Sequence, residues 1–207
     1  MLIMKPCPGI RVQKIYIPSG ARRIPALVLS PEELSAPAAG VLWIHGGGYI
    51  SGMKEMVYIS RAVELVKSFG AVVVSPGYRL APFSPYPAAI DDCYAALLYM
   101  KEHAAELWVR EDQLMVGGES AGGGLCAAVC IKARDTGEVN VAFQMPLYPM
   151  LDDRDTETSR DNHGRVWNTW KNHFGWRCYL RGTDRETLPP YAAPARVENM
   201  EGLPPAY

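Results

Sequence analysis

The sequence has no apolar run long enough to cross a membrane, no tract of like charge, and no cysteine pair at metal-ligand or redox spacing. The missing apolar run excludes a spanning helix. With 21 Lys and Arg against 22 Asp and Glu, a net charge of −1, there is neither a basic surface for nucleic acid nor an acidic tail. The five cysteines, Cys7, Cys93, Cys126, Cys130 and Cys178, are odd in number and scattered, which reads as buried free thiols rather than disulfides or zinc ligands. Cys126 and Cys130 fall one helical turn apart, a spacing that packing alone explains. Met1 to Gly9 holds no apolar stretch of the kind that directs secretion, so cytoplasmic residence is the expectation. Repeats and low-complexity segments are absent as well.

What is present is a chain of 207 residues, 48% of them hydrophobic, enough for one domain with a sizeable core. Val12 to Ile17 and Ile24 to Leu29 read as two strands joined in a hairpin at Pro18-Ser19-Gly20. Val41 to Ile44 is a short unbroken apolar run, as in a strand buried on both faces. Met56, Ile59, Val63 and Val66 recur three and four apart, predicting one amphipathic helix over Glu55 to Phe69, closed by Gly70. Further strands are expected at Ala71 to Ser75, Gln113 to Gly117 and Val141 to Leu147. Helices are expected after Pro87, over Ala121 to Ala133, and over the aromatic-rich Val166 to Leu180. Strands and helices taking turns argue for an α/β fold with a mostly parallel sheet and helices on both faces.

Sites in such sheets lie beyond the carboxyl ends of the strands, and two glycine-rich motifs fall there. Gly118-Glu119-Ser120-Ala121-Gly122 fits G-x-S-x-G between a strand and a helix. In that turn Ser120 takes a strained backbone conformation that lifts its hydroxyl clear, Gly118 and Gly122 leave room for neighbouring backbone, and the following helix favours negative charge at its start. The competing reading is a glycine-rich turn with an ordinary N-cap serine. His45-Gly46-Gly47-Gly48 follows the strand Val41 to Ile44. Glycines there cost roughly 0.5–1 kcal/mol each in chain entropy, a loss that makes sense where backbone N–H groups must approach an oxyanion. Gly47 and Gly48 would donate from one side and Ala121 from the other. A phosphate loop would end in Lys-Ser/Thr, whereas Tyr49-Ile50 follows here. His45 precedes the donors it would have to face, so it reads as a shaper of the loop and not as a base. Gly46 and Glu119 support the two motifs.

With these residues the chain resembles the hormone-sensitive-lipase-like branch of the α/β-hydrolases, the HGGG bacterial esterases. The likeness extends to Tyr78-Arg79-Leu80-Ala81-Pro82, Pro87 to Asp92, Tyr148 to Asp153 and Gly202 to Tyr207, and so covers about Ile24 to the last residue. It implies an α/β-hydrolase fold lacking its last strands and helices, with Ser120 as nucleophile and Gly47, Gly48 and Ala121 as oxyanion donors. It also implies hydrolysis of short-acyl carboxylic esters, with no metal or organic cofactor. Phe83-Ser84 departs from the family, which often has an acidic residue and a histidine there. In the family Leu203-Pro204-Pro205-Ala206-Tyr207 opens the next sheet strand, the triad acid follows that strand and the histidine follows the one after it, so this chain is expected to be inactive by itself. Residues 1–207 are read as one domain, with 154–188 as a cap or lid insertion.

Internal substitutes for the triad would be Asp152 or Asp153 with His163 or His173. The aromatic helix Val166 to Leu180, which holds His173 and follows His163, favours capping or surface roles for them, and His103 ends a helix where a cation suits the dipole. The aromatics themselves read as packing first and acyl-pocket lining second. The expected partner is a small-molecule ester, with no nucleic acid or membrane. A sheet ending at the Val141 strand would leave an apolar edge through which copies associate. A hydrolase scaffold that binds a small molecule without turnover is the alternative, and a purely structural subunit is a third reading.

Overall fold

The computed structural model describes residues 7–207, so the reading of Met1 to Gly9 as free of a leader lies largely outside the described residues. Two antiparallel strands, β1 (Ile10–Ser19) and β2 (Arg22–Pro31), open the chain. The hairpin is as expected, but Pro18 and Ser19 belong to β1 and the turn is Gly20-Ala21, where Gly20 supplies φ +56°. β3 (Ala38–Ile44) follows. The single helix expected over Glu55 to Phe69 is two pieces, a 3-10 turn at Lys54–Ile59 and α1 (Ala62–Phe69). Ser60 breaks it: its backbone is extended, its hydroxyl donates to Val57 O at 2.9 Å, and its Oγ accepts from Ala62 N at 3.2 Å. Local side-chain bonding of this kind competes with helix continuation. Gly70 closes α1 in the left-handed region.

The rest alternates: β4 (Val72–Pro76), α2 (Ala88–Glu102), the one-turn α3 (Ala104–Leu107), β5 (Val109–Glu119), α4 (Ala121–Thr136) and β6 (Phe143–Leu147). Then come α5 (Glu157–Arg160), α6 (Thr169–Tyr179) and a short 3-10 turn at Pro194–Arg196. α6 begins later than periodicity suggested because the Asn168 side chain caps it, accepting from Lys171 N at 3.0 Å.

The sheet order is β1-β2-β4-β3-β5-β6, antiparallel as far as β4 and parallel from there on. Alternate residues of β3 serve two cores. Leu42 and Ile44 pack under α2 and α4, while Val41 and Trp43 pack under α1. The edge expected to be bare beside β6 is partly filled. Gln144 N donates to Pro205 O at 2.9 Å and Tyr207 N to Gln144 O at 3.2 Å, so the segment around Ala206 runs parallel to β6. Among the described residues no helix is long and apolar enough to cross a membrane, and all five cysteines are free.

Candidate active site

β3 lies between β4 and β5, so the chain leaves β3 to one side and returns on the other, and a crevice opens where their carboxyl ends diverge. The register aligns Ile44 with Gly118, which brings the loop from His45 beside Glu119 and Ser120. Ser120 sits at φ 56°, ψ −116°, outside the regions that L-residues occupy without strain. Its backbone is pinned from β6: Ser120 N donates to Leu147 O, and Ser120 O accepts from Met150 N and Gly124 N, each at 3.0 Å. Its side chain is half-buried, at the start of α4.

The glycines are there for want of space. A Cβ on Gly118 would strike Gly122 O and Ile44 O, and one on Gly122 would strike Ile44 O and His45 O. One on Gly46 would stand 2.9 Å from Glu119 O and 3.3 Å from Ser120 Cβ, so this loop seats directly on the serine turn. Gly47 and Gly48 have φ of +122° and +62°. Gly47 O accepts from Ile50 N, Ser51 N and Ser51 Oγ, which folds the loop back on itself. Among the described residues, the N–H groups of Gly47, Gly48 and Ala121 have no acceptor within the chain. We expect Gly122→Ala to lower stability by about 1–3 kcal/mol, since carbonyls rather than a flexible side chain must yield. Thermal unfolding followed by circular dichroism checks it.

His45 opens this loop. It is buried, its Nδ1 lies 2.8 Å from Gly46 O, and its ring stacks on Tyr78 at 4.2 Å. A carbonyl only accepts, so Nδ1 carries the proton. Burial, against the smaller opposing effects of Gly46 O and the Glu55 charge, lowers its pKa to about 4. Tyr78 donates to His45 O at 3.0 Å.

The other three histidines lie elsewhere. His103 Nδ1 meets Glu106 at 3.1 Å, His163 Nε2 meets Asp161 at 2.8 Å and His173 Nε2 meets Asp155 at 2.7 Å. Asp152 pairs with Arg154, and the nearly buried Asp153 pairs with Arg196. The residues weighed from the sequence as an internal triad each pair elsewhere, and among the described residues no histidine hydrogen-bonds the Ser120 hydroxyl. No group of three or more His, Cys, Asp or Glu positioned to hold a metal occurs among the described residues.

Three features escaped the sequence reading. Trp167 lays its ring edge on Gly48, in the space a Cβ would fill. Tyr49, at φ 64°, stacks on Tyr179 at 4.0 Å and donates to Met150 O at 3.1 Å, tying the glycine loop to α6 and to the segment after β6. Arg79 and Asp92, earlier matched only as parts of motifs, form a bidentate pair sealed by Ser19. The one available signal was the aromatic density of Val166 to Leu180, which marked a packed segment without naming its contacts.

A cavity of about 400 Å³ beside the serine turn is bounded by Arg61, Glu64, Glu119, Leu147 and Tyr148. A larger one, about 680 Å³, opens at the opposite end of the sheet between Arg11, Val28, Glu32 and Trp108, away from the glycine motifs. The strained Ser120 and the N–H groups without an acceptor lie at the serine end.

Residues 41–207 match the family model described as alpha/beta hydrolase fold. Esterase LipI of Mycobacterium tuberculosis is 35% identical over 86% of this chain and 55% of its own length. The solved structure titled Bacterial Heroin Esterase superposes with a TM-score of 0.89 at 36% identity, covering 97% of this chain and 65% of that one. Gibberellin receptor GID1C of Arabidopsis thaliana is 29% identical over 93% of this chain and 58% of its own length. The chain thus spans between about half and two thirds of the length of these three proteins.

Proposed function

The chain belongs to the α/β-hydrolase family, in its hormone-sensitive-lipase-like branch, and from that premise we propose that it is a carboxylic ester hydrolase with Ser120 as nucleophile. The observation that carries this reading is the strained Ser120 at a strand-to-helix turn with the Gly46 to Gly48 loop seated against it. In the proposed reaction Ser120 Oγ loses its proton to a base and attacks the ester carbonyl carbon. The carbonyl oxygen becomes an oxyanion held by the N–H groups of Gly47, Gly48 and Ala121. The alcohol then leaves with a proton, and water hydrolyses the acyl-serine. His45, Gly46, Gly118, Glu119 and Gly122 hold the two loops in place. Nothing in this scheme calls for a metal or an organic cofactor. Residues 154–188 act as a cover, and Trp167, which fills the space beside Gly48, narrows the site in a way that suits small acyl groups. The five free thiols fit a cytoplasmic setting.

Each of the four histidines has a partner other than Ser120, which supports the reading that the 207-residue chain shows no serine-dependent turnover. Loss of the base costs on the order of 10⁶ in rate, and donors alone leave about 10³–10⁴ over water. The test is p-nitrophenyl acetate hydrolysis by the chain and by Ser120→Ala, with and without added imidazole as a diffusible base. Equal rates without imidazole, and a faster parent protein with it, are expected. Serine-dependent turnover without imidazole would overturn the inactivity, and equal rates in both conditions would overturn Ser120 as nucleophile.

A second reading has one observation in its favour. A serine without a base, in a chain similar to a protein named as a gibberellin receptor, suits a scaffold that binds a small hydrophobic acid without turnover. Calorimetric binding of such an acid, with no imidazole rescue, would support it.

A further inference from the structure

Two peptide units of the loop after β3 lie between glycines, Gly46–Gly47 and Gly47–Gly48. A peptide is planar and trans, so its C=O and N–H point in opposite directions. Turning such a unit over changes only the ψ before it and the φ after it, and two glycines put no Cβ in the way. The direction of the Gly47 and Gly48 N–H groups is therefore left open by the glycines themselves. It is decided by whatever grips the carbonyl on the other edge of each unit.

One side chain grips each carbonyl. Gly46 O accepts from His45 Nδ1 at 2.8 Å. That bond is packed under Gly52, where a Cβ would stand 2.5 Å from both atoms, and Tyr78 stacks on the ring. Gly47 O accepts from Ile50 N at 3.1 Å, Ser51 N at 3.0 Å and Ser51 Oγ at 3.0 Å. The two backbone donors come with the turn, whereas the hydroxyl comes with the residue. The fold-back is tight: a Cβ on Gly47 would strike Ser51 O and stand 3.1 Å from Ser51 Oγ. On the opposite edge of that unit the Gly48 N–H has no acceptor among the described residues.

We propose that Ser51 is a positioning residue, whose hydroxyl holds the Gly47–Gly48 peptide with its carbonyl turned away from Ser120 and the Gly48 N–H turned towards it. The catalytic consequence rests on the ester-hydrolase reading, in which that N–H meets the oxyanion. A flipped unit would present Gly47 O there instead, the negative end of the same dipole. Molecules in the flipped state still bind a neutral ester but do not stabilise its transition state, so the hydroxyl acts on kcat and hardly on KM. His45 does the same for the Gly46–Gly47 unit from a buried position. Ser51 is exposed, so its hydroxyl can be removed without emptying space in the core.

Ser51→Ala and Ser51→Thr test this in the full chain. The rate read is p-nitrophenyl acetate hydrolysis with added imidazole, less the rate of Ser120→Ala. The peptide itself is read by amide relaxation dispersion at Gly48, which senses flipping on the μs–ms scale and needs no turnover. Ser51→Ala is expected to lower kcat about three- to tenfold, the range that one hydrogen bond spans, with KM changed less than about twofold. Exchange at the Gly48 N–H should appear in Ser51→Ala, and Ser51→Thr, which keeps the hydroxyl, should return both readings to those of the parent. A Gly48 amide as quiet in Ser51→Ala as in the parent would overturn the proposal. So would a loss of kcat that Ser51→Thr fails to restore. Exchange at Gly48 with no Ser120-dependent turnover in any of these proteins would uphold the hold on the peptide and sink the ester-hydrolase reading instead.

Discussion

Arg79→Met is expected to destabilise the protein by about 3–5 kcal/mol, more than Asp92→Asn does. Asp92 is fully buried, and its carboxylate takes Arg79 Nε and Nη2 at 2.8 Å each, Arg79 N at 2.9 Å and Ser19 Oγ at 2.5 Å. Removing the guanidinium leaves a buried negative charge with one hydroxyl and one amide. Removing the charge of Asp92 leaves an arginine whose side chain, 29% exposed, can turn to water. The asymmetry follows from which partner has access to solvent. A loss of that size is a large share of a domain's usual stability. It would also loosen the loop after β4, where Ala81 N bonds Tyr49 O beside the glycine motif. Urea unfolding of both variants checks it, and equal or reversed losses would show that Asp92 reaches water more readily than its burial implies.

The second large effect is acid weakening through His45. Its pKa is about 4 in the folded protein against an ordinary value near 6.5, chiefly because burial disfavours the imidazolium. Between those values the unfolded chain binds the proton and the folded one does not, so stability falls as pH drops from 6.5 towards 4. The full difference is about 3 kcal/mol. The contribution is wholly present above pH 6.5. His45→Gln, which cannot titrate, should flatten the stability profile over that window at the cost of some stability at neutral pH. Parallel profiles for the two proteins between pH 6.5 and 5 would show that His45 does not carry the linkage.

Much of this architecture was legible because its signals are local. β3 and β4 announce themselves as unbroken apolar runs, and Gly70 and Gly20 mark positive-φ positions that other residues avoid. The serine turn was readable since the constraint on Gly118 and Gly122 is written into residue identity: a Cβ there meets backbone. The break at Ser60 was missed because its hydroxyl bonds override a helical period that Met56, Ile59, Val63 and Val66 otherwise keep. The resemblance named Leu203 to Tyr207 as the opening of the next strand, but the sequence reading still left the β6 edge bare; the segment reaches that edge through Gln144.

The sequence by itself determined the family and picked out the candidate nucleophile and the candidate glycine donors. Each rests on residue types whose backbone freedom or side-chain chemistry is legible one position at a time. Only the tertiary structure decided what meets what. The Ile44–Gly118 register sets the glycine loop on Ser120, Trp167 lies on Gly48, and all four histidines are engaged away from the serine hydroxyl. Those pairings depend on strand order, register and loop path. Periodicity records which face a residue turns to the core, and says nothing of the distant residue waiting there.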